Sequence, residues 1–244
     1  MQDSAKKLAL ITGANKGIGY EIARQIGHAG ITVLLGVRNR ALGEESAAKL
    51  RLEGLDARFV ALDVTDPTSI AAASAAITND YGRLDILVNN AGINDPADGP
   101  APTAPLDAVE RVLRTNFLGA LAITQAMLPL LRKASGARIV NVSSGLGSLT
   151  QNADPAYPSA AVKFIGYSAS KAALNMLTVQ LAYLLRDTTI KVNSADPGYT
   201  ATDLNGHRGT QTIPEGAAEA IRLALLPGDG PTGTYSNRKG VVPW

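Results

Sequence analysis

Tyr167-Ser168-Ala169-Ser170-Lys171 opens a segment of helical periodicity. If the segment is helical from Tyr167, the phenol and the ammonium lie one turn apart on one face, close enough for the cation to stabilise a phenolate. An ordinary tyrosine titrates near pH ~10. Bringing it to about 7 takes roughly 4 kcal/mol of preferential phenolate stabilisation, which a nearby lysine and a cationic ring can supply together. That pairing would make Tyr167 a proton donor. A surface Tyr and Lys on an amphipathic helix satisfy the same spacing, so the other polar positions must decide.

Thr12-Gly13-Ala14-Asn15-Lys16-Gly17-Ile18-Gly19 follows the first apolar run and opens a helical pattern. Glycines there permit a tight turn and close approach of the backbone to a pyrophosphate, while the helix amino terminus presents N–H groups to it. Gly13, Asn15, Lys16, Gly17, Ile18 and Gly19 are the candidate contacts. The spacing is neither GxGxxG nor GxxxxGK[ST], and a plain strand-to-helix turn is the alternative.

The second apolar run leads into Gly36-Val37-Arg38-Asn39-Arg40, without the acid that binds a ribose diol. Arg38 stands there instead, a guanidinium able to pair with an adenosine 2′-phosphate. Lys16 offers a second charge, Asn39 lies alongside, and Arg40 is a weaker candidate. One charged hydrogen bond, worth about 1.5–3 kcal/mol, would favour NADP over NAD by roughly tenfold to a hundredfold.

Asp63-Val64 closes the third run, where a carboxylate can accept from an adenine amino group; Asp63 could equally cap the helix near Asp66-Pro67. Asn90, Ala91 and Gly92 follow the fourth run, where small residues let the backbone pass close to a ligand. Ser143 and Ser144 end the fifth. Asn116 sits among apolar neighbours in a helix-forming stretch and needs a hydrogen-bond partner if buried.

The elements that must position these groups follow from the pattern. Continuous apolar runs at Leu8 to Thr12, Thr32 to Val37, Arg58 to Val64, Ile86 to Asn90, Arg138 to Ser143 and Ile190 to Ala195 predict parallel strands buried on both faces. Ile18 to His28 predicts a helix ending at Gly30, and Asp66-Pro67 has the order of an N-cap and first-turn proline. Leu106 to Lys133 is long enough for a helix that Pro129 should kink or divide. Leu174, Leu177, Leu181, Leu184 and Leu185 make one apolar face after Tyr167, and Thr212 to Glu215 reads as a capping box. The fold class is α/β: residues 1–244 form a single doubly wound Rossmann-type domain with a mostly parallel central sheet and helices on both faces. Ligands then bind beyond the carboxyl ends of the strands, where every motif above falls.

Composition removes other chemistries. Of 244 residues, 45% are hydrophobic and 18% charged, enough for a sizeable core. Twenty-three Lys and Arg against 21 Asp and Glu leave a scattered +2, which favours neither nucleic acid nor an anionic membrane as partner. There is no cysteine, and His28 and His207 are the only histidines. Thiolate catalysis is excluded, no metal site is expected, and a Ser/His/acid hydrolase is hard to build. His28 reads as a helix-end surface residue and His207 as a solvated loop residue. The polar start MQDSAKK and the short apolar run after it predict neither a signal nor a membrane span, so a cytoplasmic protein is the expectation.

Taken together, TGANKGIG, Leu62 to Val64, NNAG, Thr115 to Gly119, NVSS, YSASK and Asp196-Pro197-Gly198 resemble the short-chain dehydrogenase/reductase family over nearly the whole chain. The glycine turn, the Arg38 region and the stretch from Ala224 to Trp244 look closest to its carbonyl reductase branch. The resemblance implies NADP(H) as cofactor, a small carbonyl or alcohol substrate, and a tetrad of Asn116, Ser144, Tyr167 and Lys171. Ser144, the second serine of the pair, is preferred over the competing Ser143. In that tetrad Tyr167 protonates the carbonyl oxygen, Ser144 steadies it, Lys171 holds the nicotinamide ribose and lowers the Tyr167 pKa, and Asn116 retains a water. Tyr167 and Lys171 thus also belong to the cofactor set, with Pro197, Gly198, Thr200 and Thr202 near the pyrophosphate unless the threonines make ordinary loop hydrogen bonds. Substrate loops are expected near 94–105, 145–166 and 199–213.

The chain departs from the family in the extra residues between Ser144 and Tyr167, which include Asn152 to Pro158. Monomeric carbonyl reductases carry a longer insertion there, so the resemblance leaves the chain open between a monomer and a homo-oligomer. Tyr157 and Phe164, with Leu146, Tyr199 and Trp244, either line an apolar pocket or serve as core or subunit contacts. The expected activity is NADPH-dependent reduction of a ketone, aldehyde or quinone. The alternatives are a narrow-specificity biosynthetic ketone or imine reductase, and an NADP(H)-sensing regulator without turnover.

Overall fold

Leu8–Thr12 forms β1 at the heart of an eight-stranded sheet in the computed structural model, which describes residues 6–244. After β1 come α1 (Gly17–His28), β2 (Thr32–Val37), α2 (Arg40–Leu52), β3 (Ala57–Ala61), α3 (Pro67–Tyr81) and β4 (Ile86–Asn89). The chain continues through α4 (Leu106–Leu113), α5 (Ala120–Leu131), β5 (Arg138–Val142), α6 (Leu149–Ala153), α7 (Ile165–Leu184), β6 (Lys191–Ala195), α8 (Ile213–Ala224), β7 (Tyr235–Asn237) and β8 (Gly240–Val241). The strand order is β3-β2-β1-β4-β5-β6-β7-β8, parallel until the final antiparallel pair. The chain winds outward from β1 to β3, then returns to place β4 beside β1, which opens a crevice at their carboxyl ends.

Every residue of β1, β2, β4 and β5 is buried, which explains why they read as unbroken apolar runs. Side chains alternate across the pleat: Ala9 and Ile11 join Ile22, Ile26 and Leu223 on one face, while Leu8 and Leu10 join Ile70, Ile123 and Met127 on the other. Each buried Leu or Ile contributes on the order of 1.5–3 kcal/mol, so these two layers fix the sheet and hence the rim.

The helix signals act as their chemistry dictates. Gly30 follows α1 with φ 81°, Asp66 accepts from Thr68 N–H ahead of Pro67, and Thr212 and Glu215 cap α8 reciprocally. Two expectations need correction. The third strand ends at Ala61 because Asp63 Oδ1 accepts from Thr65 N–H and turns the chain. Pro129 does not end the helix; it lies inside the last turns of α5, where its missing N–H costs one helical hydrogen bond. The interruption comes earlier, as a π-helical segment over Arg114–Gly119. β7 and β8, three and two residues long, are too short to carry a periodic signal.

Among the described residues, no helix is long and apolar enough to cross a membrane, and no cluster of His, Cys, Asp or Glu could hold a metal. Of the amino-terminal stretch, residues 1–5 lie outside the described residues.

Candidate active site

β1 delivers Thr12 to the rim, and the turn that follows needs left-handed backbone at Gly13 (φ 66°) and Gly17 (φ 57°). Gly19 has no room for a side chain: a Cβ there would lie 2.6 Å from the Gly13 carbonyl oxygen and collide with Asn90 Nδ2. Asn90 Nδ2 in turn donates to the Thr12 carbonyl at 2.9 Å, and Thr12 Oγ1 accepts from the N–H groups of Asn90 and Ala91 at 3.0 and 2.9 Å. Asn90 and Ala91 thus brace the turn from β4. The Asn15 carbonyl accepts from Ser46 Oγ at 3.0 Å. α1 opens at Lys16 with no side-chain cap and no acid in its first turn, and Ile18 packs half-buried against the core. An uncapped helix start behind two left-handed glycines fits a pyrophosphate.

Arg38 is exposed and carries no ion pair among the described residues. Burial pushes the Asp63 carboxyl up, but hydrogen bonds from Thr65 and the Arg38 charge outweigh it and hold the group below the usual range. Asp63 therefore makes a local turn facing Arg38, and Asp66 is the cap of α3. Lys16 differs from its expected role as a second phosphate charge: its ammonium pairs with Asp203 at 2.5 Å, because the 199–213 loop brings that carboxylate, also held by His207 at 2.8 Å, across the turn. Asn39 caps α2 by accepting from Leu42 N–H at 3.1 Å, and Arg40 is spent on Glu44 and the Phe59 ring. Val64 packs against Gly119, where a Cβ would come within 2.9 Å of it.

At the other end of the crevice, Tyr167 and Lys171 stand one turn apart on α7, with Lys171 Nζ 5.6 Å from the phenol ring centroid. The lysine is buried and donates to the Val142 carbonyl at 2.8 Å; loss of hydration lowers its pKa to about 8. The phenol's own surroundings favour its neutral form. Burial pushes the Tyr167 pKa up to about 12; the Ser144 hydrogen bond pulls it down and the Asp196 charge raises it. Desolvation sets the direction, so Tyr167 is a neutral acid at pH 7.

The two serines part company here. Ser144 lies near enough to the Tyr167 phenol to lower its pKa, whereas the buried Ser143 hydroxyl lowers that of Tyr235 and donates to the Lys171 carbonyl at 3.5 Å. Asn116, on the π-helical segment, is 1% exposed and fully engaged: Oδ1 accepts from Ile93 N–H at 2.8 Å, and Nδ2 donates to the Ile93 carbonyl at 2.9 Å and Ser170 Oγ at 3.0 Å. It ties the exit of β4 to α7. A Cβ at Gly92 would lie 3.4 Å from Asn116 Oδ1 and 3.5 Å from Lys171 Nζ, so all three meet at one point.

Beyond β6, Gly198 (φ 68°) follows Pro197 and donates to Asp196 Oδ1. Thr200 is buried and donates to the Pro197 carbonyl at 2.9 Å, an ordinary loop bond; the Thr202 methyl instead faces Gly17, 3.9 Å from where its Cβ would be.

One feature escaped sequence reasoning. Asp98, in the 94–105 loop, is buried and accepts from the N–H groups of Gly99, Gly166 and Tyr167, capping α7 from outside the helix. An isolated Asp-Gly pair gives no hint of a partner that far away. The extra residues before α7 fold back on the serine loop. Tyr157 packs its hydroxyl over Gly145, and Asn152 Nδ2 donates to the Leu146 and Ser148 carbonyls. A separate groove along α7 is lined by Phe117, Leu121, Met176 and Leu177. Tyr199 is half exposed, and Trp244 stacks on Tyr235.

A short chain dehydrogenase family model matches residues 7–212. (+)-Neomenthol dehydrogenase of Capsicum annuum is 31% identical, covering 98% of this chain and 98% of that protein. Carbonyl reductase [NADPH] 1 of Mus musculus is 32% identical, covering 99% of each. The NADPH-bound carbonyl reductase from chicken fatty liver superposes with a TM-score of 0.85 at 30% identity, over 98% of this chain and 99% of that one.

Proposed function

The chain belongs to the short-chain dehydrogenase family, and from that premise we propose that it is an NADP(H)-dependent oxidoreductase that reduces a ketone, aldehyde or quinone carbonyl with Tyr167 as proton donor. The bound cofactor supplies the hydride. The glycine turn and the start of α1 hold its pyrophosphate, and Arg38 holds the 2′-phosphate that distinguishes NADP from NAD.

The observation that carries the reading is Tyr167 standing one helical turn from a buried Lys171, whose Nζ lies 5.6 Å from the phenol ring centroid, with Ser144 close enough to lower the phenol's pKa. A neutral phenol and a neighbouring serine hydroxyl can both donate to a carbonyl oxygen as it gains negative charge. Tyr167 then gives up its proton, and Lys171 is the adjacent cation that stabilises the phenolate. Asn116 fixes the β4 exit against α7, so that Lys171 keeps its place. Relatives named as reducing or oxidising terpenoid and carbonyl compounds support an apolar carbonyl substrate.

Loss of NADPH absorbance with a panel of aryl ketones, vicinal diketones and quinones tests the reading. Turnover on at least one class is expected. Tight NADPH binding with no turnover on any would instead support a cofactor-sensing protein.

A further inference from the structure

Tyr235 is 1% exposed, and its hydroxyl donates to the Ser144 carbonyl oxygen. The phenol ring stacks on Trp244 at 5.4 Å between centroids and an interplanar angle of 24°. That tryptophan is held in place by the chain around it. Its carbonyl accepts from Thr150 N–H at 2.9 Å, the Pro243 carbonyl accepts from Ser148 Oγ at 2.6 Å, and Val242 N–H donates to the Tyr235 carbonyl at 2.8 Å.

We propose that Tyr235, backed by Trp244, is a positioning residue that fixes the Ser144 peptide so that the serine hydroxyl faces Tyr167. The inference rests on the reading of the site given above. Ser144 is extended (φ −168°, ψ 147°), and its Oγ has two neighbours: it accepts from Leu146 N–H at 3.2 Å and lies near enough to the Tyr167 phenol to lower its pKa. Rotation of the Ser144 peptide shifts that hydroxyl between them. The Tyr235 hydroxyl, bonded to the carbonyl of the same residue, opposes that rotation. Burial, and then the Asp196 charge, push the Tyr235 phenol far above the ordinary tyrosine value, so it remains a donor at every working pH.

The test is Tyr235→Phe, which removes one oxygen and keeps the ring stack. It should lower kcat about tenfold, with NADPH affinity and melting temperature close to wild type. In the alcohol-oxidising direction, where Tyr167 must be deprotonated, the acidic limb of the kcat/KM profile should move to higher pH, because the hydrogen bond that lowers the Tyr167 pKa is weakened. In a Ser144→Ala background the same change should cost nothing further. Trp244→Ala should reproduce the loss and Trp244→Phe recover it, which carries the test if Tyr235→Phe folds poorly. Wild-type kcat and an unmoved acidic limb in Tyr235→Phe, or full additivity with Ser144→Ala, would overturn the inference while leaving the proposed reaction intact. A wild type with no turnover would remove that reaction, and the inference with it.

Discussion

The carboxylate of Asp98 caps the helix that carries Tyr167: Oδ1 accepts from Gly166 N–H at 3.0 Å and Oδ2 from Tyr167 N–H at 2.8 Å. α7 has no capping side chain of its own, so a loop residue does that work. Asp98→Ala should destabilise the protein by about 1–2 kcal/mol in urea unfolding and lower turnover as the start of α7 frays. Asp98→Asn keeps one accepting oxygen and should fall between.

Tyr167→Phe should lower turnover by about a hundredfold to ten-thousandfold with NADPH affinity nearly unchanged, as expected for loss of a general acid. Near-normal turnover would rule out this donor.

Ser144→Ala and Ser143→Ala should separate cleanly. Removing the hydroxyl that meets Tyr167 should cost about 10²–10³ in kcat, in line with loss of a donor to a developing oxyanion. Ser143 faces Tyr235 and the Lys171 carbonyl, so its loss should cost much less. Equal effects would contradict the division of roles.

Arg38→Ala should raise the Michaelis constant for NADPH by roughly tenfold to a hundredfold and leave that for NADH nearly unchanged. Lys16→Ala should show far weaker discrimination, because its ammonium is held by Asp203. Equal shifts for the two cofactors in Arg38→Ala would refute the assignment.

Lys171 gives a stability signature of known sign. Its folded pKa is lowered to about 8, so between that and the ordinary lysine value near ~10.4 the unfolded chain binds a proton that the folded chain does not. Folding stability from this group therefore rises with pH across that window. Tyr167, raised to about 12, acts the other way above pH ~10, where the folded phenol keeps a proton that the unfolded chain releases. The unfolding free energy of wild type relative to Lys171→Met should increase between pH ~7.5 and ~9.5; a flat difference would mean the lysine is solvated.

The strand core was legible because β1, β2, β4 and β5 are buried on both faces, and burial leaves an apolar run in the sequence. The rim motifs were legible because each is local, a turn or one helical repeat. Long-range polar contacts leave no such trace. Asp98 lies 68 residues from Gly166, Tyr235 lies 91 from Ser144, and Lys16 lies 187 from Asp203. The Lys171 contact with the Val142 carbonyl, 29 residues away, is of the same kind. Pro129 misled differently: α5 runs on past it to Leu131 and gives up one helical hydrogen bond there.

The parallel winding puts all of the proposed chemistry at the carboxyl ends of the strands and leaves the helix-to-strand turns at the opposite end free of it. Ala29 and Leu52 sit at those turns, both exposed, and the 244 residues contain no cysteine. A single cysteine at either position would be the only thiol in the molecule. It offers an attachment point for a fluorophore or a surface tether that leaves the crevice facing solution.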